Sequence, residues 1–200
     1  MYRHYLKRLF DLVAATLVLM LLLPLFLLLC LVIKLDSKGP VFFRQRRIGK
    51  GKTEFLILKF RSMRIDAPKD QPTHLLQNPA AYITRFGQFL RQTSLDELPQ
   101  LINIIAGQMS VVGPRPALYN QEDLIELRDQ YGANDVRPGL TGWAQVNGRD
   151  ELPIAIKSKF DGEYIEKMSF LFDLKCIFRT FKSVSTAEGI VEGQQREKHD

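Results

Sequence analysis

The longest unbroken hydrophobic run lies near the start of the chain. Leu12 to Ile33 reads LVAATLVLMLLLPLFLLLCLVI, without a charge. An apolar stretch of this length points to a membrane segment rather than to the core helix of a soluble domain. A secretory signal would have a shorter apolar centre and a small-residue cleavage site, and none is apparent. Pro24 stands near the middle, where it removes a backbone hydrogen bond and crowds the preceding turn. Arg3, Lys7 and Arg8 precede the run; Lys34, Lys38, Arg44, Arg46 and Arg47 follow it. A single span cannot keep both basic flanks on the cytoplasmic side. The residues leave two forms open, a kinked span and a re-entrant hairpin that bends at Pro24 and returns. Asp11, at the edge of the run, reads as a helix-end charge whose partner is Arg8 or a later Arg.

Beyond this segment the period changes. Between Val41 and Met63, VFFRQRRIG and TEFLILKFRSM are strand-like and joined by KGK, which predicts a hairpin. Lys59 and Arg61, two apart, fall on one strand face, an arrangement also met on ordinary solvated faces. Asp66 to Pro79 is polar and proline-containing, hence a loop. Ile83, Phe86, Phe89 and Leu90 recur at helical spacing and predict a helix over 81–92, with Arg85 and Arg91 on other faces.

Thr93-Ser94-Leu95-Asp96-Glu97-Leu98-Pro99-Gln100 then runs into LINIIAG. Pro99 suits the first turn of a helix and Gly107 its end, whereas Ser94 with Glu97 resembles a capping box. The two boundaries stay open. Either one puts adjacent carboxylates at a helix start, where free amides and the dipole favour the ionised form. Taken alone, such a pair is ordinary capping. SVVGPRP, Ser110 to Pro116, presents Arg115 on a turn stiffened by proline on both sides. Asn120–Tyr131 and Glu151–Met168 read as helices. Between them, Arg137 to Arg149 (RPGLTGWAQVNGR) is glycine-rich and holds the only Trp. Such a loop lets backbone approach a ligand closely, or simply connects; no GxxxxGK[ST] or GxGxxG pattern is present. In Ser169–Val184 an apolar face (Phe170, Leu171, Leu174, Ile177, Phe178, Phe181) stands apart from Lys175, Arg179 and Lys182. That pattern fits a helix lying on an anionic membrane or one packed on a core. The last residues, from Ala187, are polar.

The 200 residues leave room for one domain beside the apolar segment. A net charge of +6 and a pI near 9.4 favour anionic partners, and the apolar segment makes headgroups and phosphates better candidates than DNA. Two cysteines, Cys30 and Cys176, make no disulfide framework. Three scattered histidines argue against a zinc site or a His-based triad. What remains is a carboxylate pair with placed cations, the requirements of phosphate chemistry. Mg²⁺ takes one or two carboxylates plus substrate phosphates, and an Asp carboxylate can attack phosphorus.

Four ordered motifs carry a resemblance: Lys59-Phe60-Arg61-Ser62-Met63, Ser94 to Gln100, Val112-Gly113-Pro114-Arg115-Pro116 and Arg137 to Arg149. On them the chain resembles the bacterial sugar transferase family, the monotopic polyprenyl-phosphate phosphoglycosyl transferases, over nearly its whole length. The resemblance implies an α+β fold, mostly helical with a small β-hairpin. It implies a re-entrant helix-break-helix over 1–35, a cytosolic catalytic domain with interfacial helices over 36–185 and a polar tail over 186–200. It further implies transfer of a sugar 1-phosphate from a UDP-sugar to undecaprenyl phosphate at the cytoplasmic face of the bacterial inner membrane, releasing UMP. Asp96 would match the nucleophile and Glu97 the Mg²⁺ ligand. Lys59, Arg61, Ser62 and Arg115 would hold phosphates, and Arg137, Pro138, Gly139, Gln145, Asn147 and Arg149 would bind the nucleotide. Pro24 would match the family's helix break, although Leu23 stands where the family often has Ser, so a side-chain hydrogen bond across the bend is missing. Relatives with extra upstream helices and a further domain make this chain resemble the minimal catalytic form.

The resemblance names no sugar and no glycan pathway, and self-association stays open. Two other classes compete: a non-catalytic membrane-anchored scaffold, separated by turnover with UDP-sugars, and a nucleic-acid binder, which rests on charge alone.

Overall fold

The computed structural model of the protein describes residues 2–68, 78–148 and 152–185. Arg149, the middle of the 66–79 loop and the 186–200 tail lie outside the described residues. The architecture is α+β and mostly helical, with two small two-stranded sheets among the described residues.

After a short π-turn over Tyr2–Leu6, the apolar run forms α1 (Lys7–Leu21) and α2 (Leu23–Asp36), bent by 64°. Among the described residues no single helix is long and apolar enough to cross a membrane; the bent pair together has the length and composition of a membrane segment. The break falls at Leu22 (φ −90°, ψ 5°), and Pro24 occupies the first turn of α2 rather than the middle of a helix. Proline is tolerated there because first-turn amides lack helical partners, while its ring forbids continuation of α1.

The pair is half embedded. Ala15, Phe26, Leu29 and Ile33 are buried against the domain, while Leu17, Met20, Leu21, Leu27, Leu31 and Leu35 are exposed. α1 is antiparallel to α4 (Gln100–Ile105). Arg8, near the start of α1, donates to the carbonyls of Ile104 (2.6 Å) and Ile105 (3.0 Å) at the end of α4. Leu19 and Leu98 pack on one core cluster at the other end. Asp11 finds no Arg. It accepts from Ser110 Oγ (2.7 Å) and Val111 N (2.9 Å), which satisfies a fully buried carboxylate in the middle of the domain.

β1 (Phe42–Ile48) and β2 (Glu54–Phe60) form the expected antiparallel hairpin, Phe42 opposite Phe60 and Ile48 opposite Glu54, turning at Lys50–Lys52. β3 (Ser110–Val112) pairs in parallel with β4 (Gly139–Thr141). Reading the two segments as a turn and a loop missed this sheet, because three-residue strands carry too little alternation to register. The crossover between them holds α5 (Glu122–Asp129). α3 is shorter than expected, Arg85–Gln92, because the Thr84 side chain accepts from Gly87 N (2.9 Å) and starts the helix there. α6 (Ile154–Lys167) and α7 (Phe170–Ser185) close the chain. The apolar face expected on α7 divides. Its protein side buries Asp173 and Cys176 with Phe172 half-buried, whereas Leu171, Phe178 and Phe181 face outward.

Candidate active site

Four separate pieces of chain converge on the carboxylate pair. The turn leading into it is unusual: Ser94 has φ +56°, a left-handed conformation that is costly for a non-glycine residue, and Leu95–Glu97 forms a 3₁₀ turn ahead of α4. Ser94 makes no cap. The Glu97 carboxylate is instead taken up by cations: Lys59 Nζ lies 2.6 Å and Arg115 Nη2 3.1 Å from the same oxygen, Oε1. A capping box therefore does not form; two charge-assisted bonds outcompete a neutral amide partner. Lys59 Nζ also stands 3.9 Å from Asp96 Oδ2.

The two acids are driven apart. Burial pushes Asp96 above the ordinary aspartate range, opposed by Lys59 and reinforced by Glu97, with Arg91 and Arg115 also opposing. Burial acts on Glu97 too, but Lys59 and Arg115 outweigh it and hold that carboxyl well below the ordinary glutamate range. Asp96 is buried, yet no described residue donates a hydrogen bond to it. Asp96 thus keeps acceptor capacity free for a ligand beside Lys59, on a side chain that is only 12% exposed.

Each cation has a structural reason to be where it is. Lys59 is set by Asn103, a buried side chain on α4 that works like a neighbouring strand. It accepts from Leu58 N (2.9 Å) and donates to the Leu56 carbonyl (2.8 Å), pairing the free edge of β2 and fixing its register against the dyad. Arg115 is held from below by the parallel sheet: Gly113 N donates to Thr141 (2.8 Å) and Gly139 N to Pro114 (2.9 Å). Gly139 is required because a Cβ there would lie 2.1 Å from Gly113 N. Arg91, in the last turn of α3, is a third cation acting on Asp96. Sequence reasoning set it on another face of that helix; the left-handed turn at Ser94 folds the chain back and is what brings Arg91 toward the dyad.

The remaining predicted residues are not gathered here. Arg61 follows the end of β2, so the alternation that placed it beside Lys59 has stopped. Its buried guanidinium donates to the carbonyls of Ser37 (2.6 Å) and Lys38 (3.0 Å) and to Ser37 Oγ (2.8 Å), capping the end of α2. Ser62 is buried under α3, its backbone pressed against Gly87. Arg137 donates through Nε to the Gly107 carbonyl (2.7 Å) at the far end of α4, and the Pro138 carbonyl accepts from Ser110 N (2.9 Å). Gln145 donates to the Leu140 carbonyl (3.1 Å). Asn147 donates to the Trp143 carbonyl (2.7 Å) and accepts from Arg179 (3.2 Å), so these two residues brace their own loop.

No group of three or more His, Cys, Asp or Glu side chains fit to hold a metal occurs among the described residues. Adjacent carboxylates are nevertheless hard oxygen donors of the kind that share Mg²⁺ with a phosphate ligand, and Glu97 Oε2 takes neither cation.

A fold of this kind around an acid pair defines a class. The family model described as bacterial sugar transferase matches residues 2–187, and the chain belongs to that family. Among curated proteins it is similar to a UDP-glucose:undecaprenyl-phosphate glucose-1-phosphate transferase of Escherichia coli (strain K12), 45% identical over 182 residues, which cover 88% of this chain and 39% of that protein. It is also similar to the exopolysaccharide production protein ExoY of Rhizobium meliloti (strain 1021), 40% identical over 199 residues, 92% of this chain and 87% of that one. The uncharacterized sugar transferase EpsL of Bacillus subtilis (strain 168) is 40% identical over 185 residues, 92% of this chain and 90% of that one. The chain thus spans about two fifths of the length of the Escherichia coli relative.

Proposed function

We propose that the protein transfers a sugar 1-phosphate from a UDP-sugar to undecaprenyl phosphate, by way of a covalent intermediate on Asp96. The observation that carries this reading is the dyad itself: a buried carboxylate to which no described residue donates a hydrogen bond, 3.9 Å from Lys59 and next to a glutamate clamped by two cations. The activity after which the Escherichia coli relative is named supports it.

In the first half-reaction an Asp96 oxygen attacks the sugar-bearing phosphorus, the P–O bond to UMP breaks, and UMP departs with the electron pair. Desolvation keeps the Asp96 oxygen from being masked by donors. Lys59, Arg115 and Arg91 offset charge on the transferring phosphoryl oxygens. In the second half-reaction an oxygen of the lipid phosphate attacks the same phosphorus, and the Asp96 carboxylate is released unchanged. Mg²⁺ held by Glu97 would supply further positive charge to the phosphates when bound. Arg61, engaged with the end of α2, aligns the bent helix pair rather than holding phosphate.

The bent pair enters the cytoplasmic leaflet and returns. Its outward apolar face supports this, as do basic residues on both flanks and the outward Leu171, Phe178 and Phe181 of α7 flanked by Lys175, Arg179 and Lys182. The mechanism is tested by incubating the purified protein with donor sugars alone and measuring intact mass. A gain of one sugar phosphate, absent in Asp96→Asn, is expected; a wild-type mass that stays unmodified while turnover proceeds sinks the intermediate. For topology, a Tyr5→Cys protein in intact cells should resist impermeant thiol reagents, and labelling from outside would establish a full span instead.

A further inference from the structure

A cavity of about 280 Å³ opens at the opposite end of α4 from the dyad, lined by Arg3, Lys7, Arg8, Lys50 and Arg137, with Asp11 and Asp135 as its carboxylates. It is a separate place in the molecule. Arg8 and Arg137 bond the carbonyls of residues 104, 105 and 107, whereas Asp96 and Glu97 precede α4, a helix length of roughly 10–15 Å away.

Not all five cations are available to a ligand. Lys7 is buried on Asp173 at 2.6 Å, and Arg8 is committed to the two α4 carbonyls. Arg137 uses only Nε, which leaves its terminal nitrogens for another acceptor. Arg3 and Lys50 are exposed, and no carboxylate among the described residues holds either. On the other side of the balance, both Asp11 oxygens are already occupied, by Ser110 Oγ and Val111 N, while exposed Asp135, paired with no cation among the described residues, offsets one positive charge. The cavity therefore presents three unspent cations against one free carboxylate, from three pieces of chain: the N-terminal turn, the β1–β2 turn and the segment just before β4. Its apolar lining is limited to Val136 and Met168, too little to grip a base or an acyl chain. A guanidinium fork with two neighbouring cations suits tetrahedral oxyanions, which accept from several directions at once.

We infer that this cavity is a second anion site, which binds a phosphate or diphosphate group, free in solution or carried as a lipid headgroup. The site needs no transfer chemistry and stands or falls independently of the dyad.

The test reads Lys50 directly. The full chain in phosphatidylcholine nanodiscs is acetylated in phosphate-free buffer with and without inorganic pyrophosphate at constant ionic strength, and the rate at each lysine is followed by mass spectrometry. With pyrophosphate at three times its Kd, Lys50 should react about fourfold more slowly, by mass action, while exposed Lys159 is unchanged. The protection should persist in Arg115→Gln, which weakens the dyad's cation ring, and vanish in Arg3→Glu, an exposed substitution that spares the fold; Arg137→Gln serves as the second variant. Nanodiscs of phosphatidylglycerol distinguish the sources: protection without added pyrophosphate identifies a headgroup, and protection by pyrophosphate alone identifies a soluble ligand. Equal slowing at Lys50 and Lys159, no slowing in either setting, or protection that survives Arg3→Glu overturns the proposal.

Discussion

Asp96 and Asp173 are both buried, and both face a lysine, yet they are built to opposite ends. Asp173 receives Lys7 Nζ at 2.6 Å and the Tyr2 hydroxyl on one oxygen, and the Tyr164 hydroxyl at 2.8 Å on the other. The Tyr164 oxygen also lies 3.0 Å from the Val112 carbonyl, its one proton shared between the two acceptors, so the network ties the N-terminal turn, α6, α7 and β3 together. Among the described residues Asp96 accepts no hydrogen bond; its nearest cation is Lys59 at 3.9 Å, shared with Glu97, with Arg91 and Arg115 acting from further off. A buried charge with its acceptor sites filled is inert and holds structure; the same group left short of donors keeps a reactive lone pair at a cost in stability. The pair shows that burial of an acid does not by itself mark a site. The count of donors around it does.

That comparison breaks most sharply on a crossed pair of substitutions. Asp96→Asn should lower UMP release by at least about a thousandfold, as loss of a nucleophile does, with an unfolding temperature equal to or above that of the parent. Asp173→Asn should do the reverse. It leaves Lys7 buried against a neutral amide and costs about 3–5 kcal/mol of stability, seen as a lowered thermal midpoint in detergent, while turnover per folded molecule stays within a few-fold. If the two variants exchange these phenotypes, the assignment of roles is wrong.

A smaller effect separates the two lysines. Lys59→Gln should cut kcat roughly a hundredfold, the scale for removing one preorganised charge from a transferring group. A change confined to KM would make Lys59 a binding residue only. Smallest of all is an exposed counterpart. Lys52 and Asn134 hydrogen-bond Asp129 and hold its carboxyl below the ordinary aspartate range. Because the folded value is the lower one, this contact stabilises at neutral pH. Its contribution fades as pH drops through the ordinary aspartate range and is gone below the folded value. In urea titrations the gap between wild type and Lys52→Ala should therefore shrink steadily on acidification toward pH 3; a gap that widens contradicts the sign. Its size should be modest, since an exposed pair is screened by solvent.

The bent apolar pair, the β1–β2 hairpin, the helices over 122–129 and 154–167 and the turn presenting Arg115 were legible in the residues, because each follows from a local rule: run length, alternation, helical period or proline stiffness. The dyad itself was legible through its motif. Its environment was not. Arg91 was set off the apolar face of α3 with no hint that it meets the dyad, and Arg61 was set beside Lys59, a placement that failed because β2 ends at Phe60. The β3–β4 sheet was missed as well, and with it the reason that Gly139 supports Arg115.

The chain's own order of residues determined where the apolar run begins and breaks, since Pro24 removes a helical hydrogen bond and crowds the preceding turn, and it determined that two carboxylates stand side by side. Only the tertiary structure decided what those carboxylates meet. Lys59 and Arg115 are far from Asp96 along the chain, and their meeting with it depends on the Asn103 amide that fixes β2 and a parallel strand pair beneath Arg115, while a left-handed turn at Ser94 turns the nearby Arg91 toward it. Those contacts are long-range, and local sequence carries no periodic signal for them. The same holds for desolvation. Whether an acid is dry or wet is a property of everything packed around it, not of its neighbours in sequence.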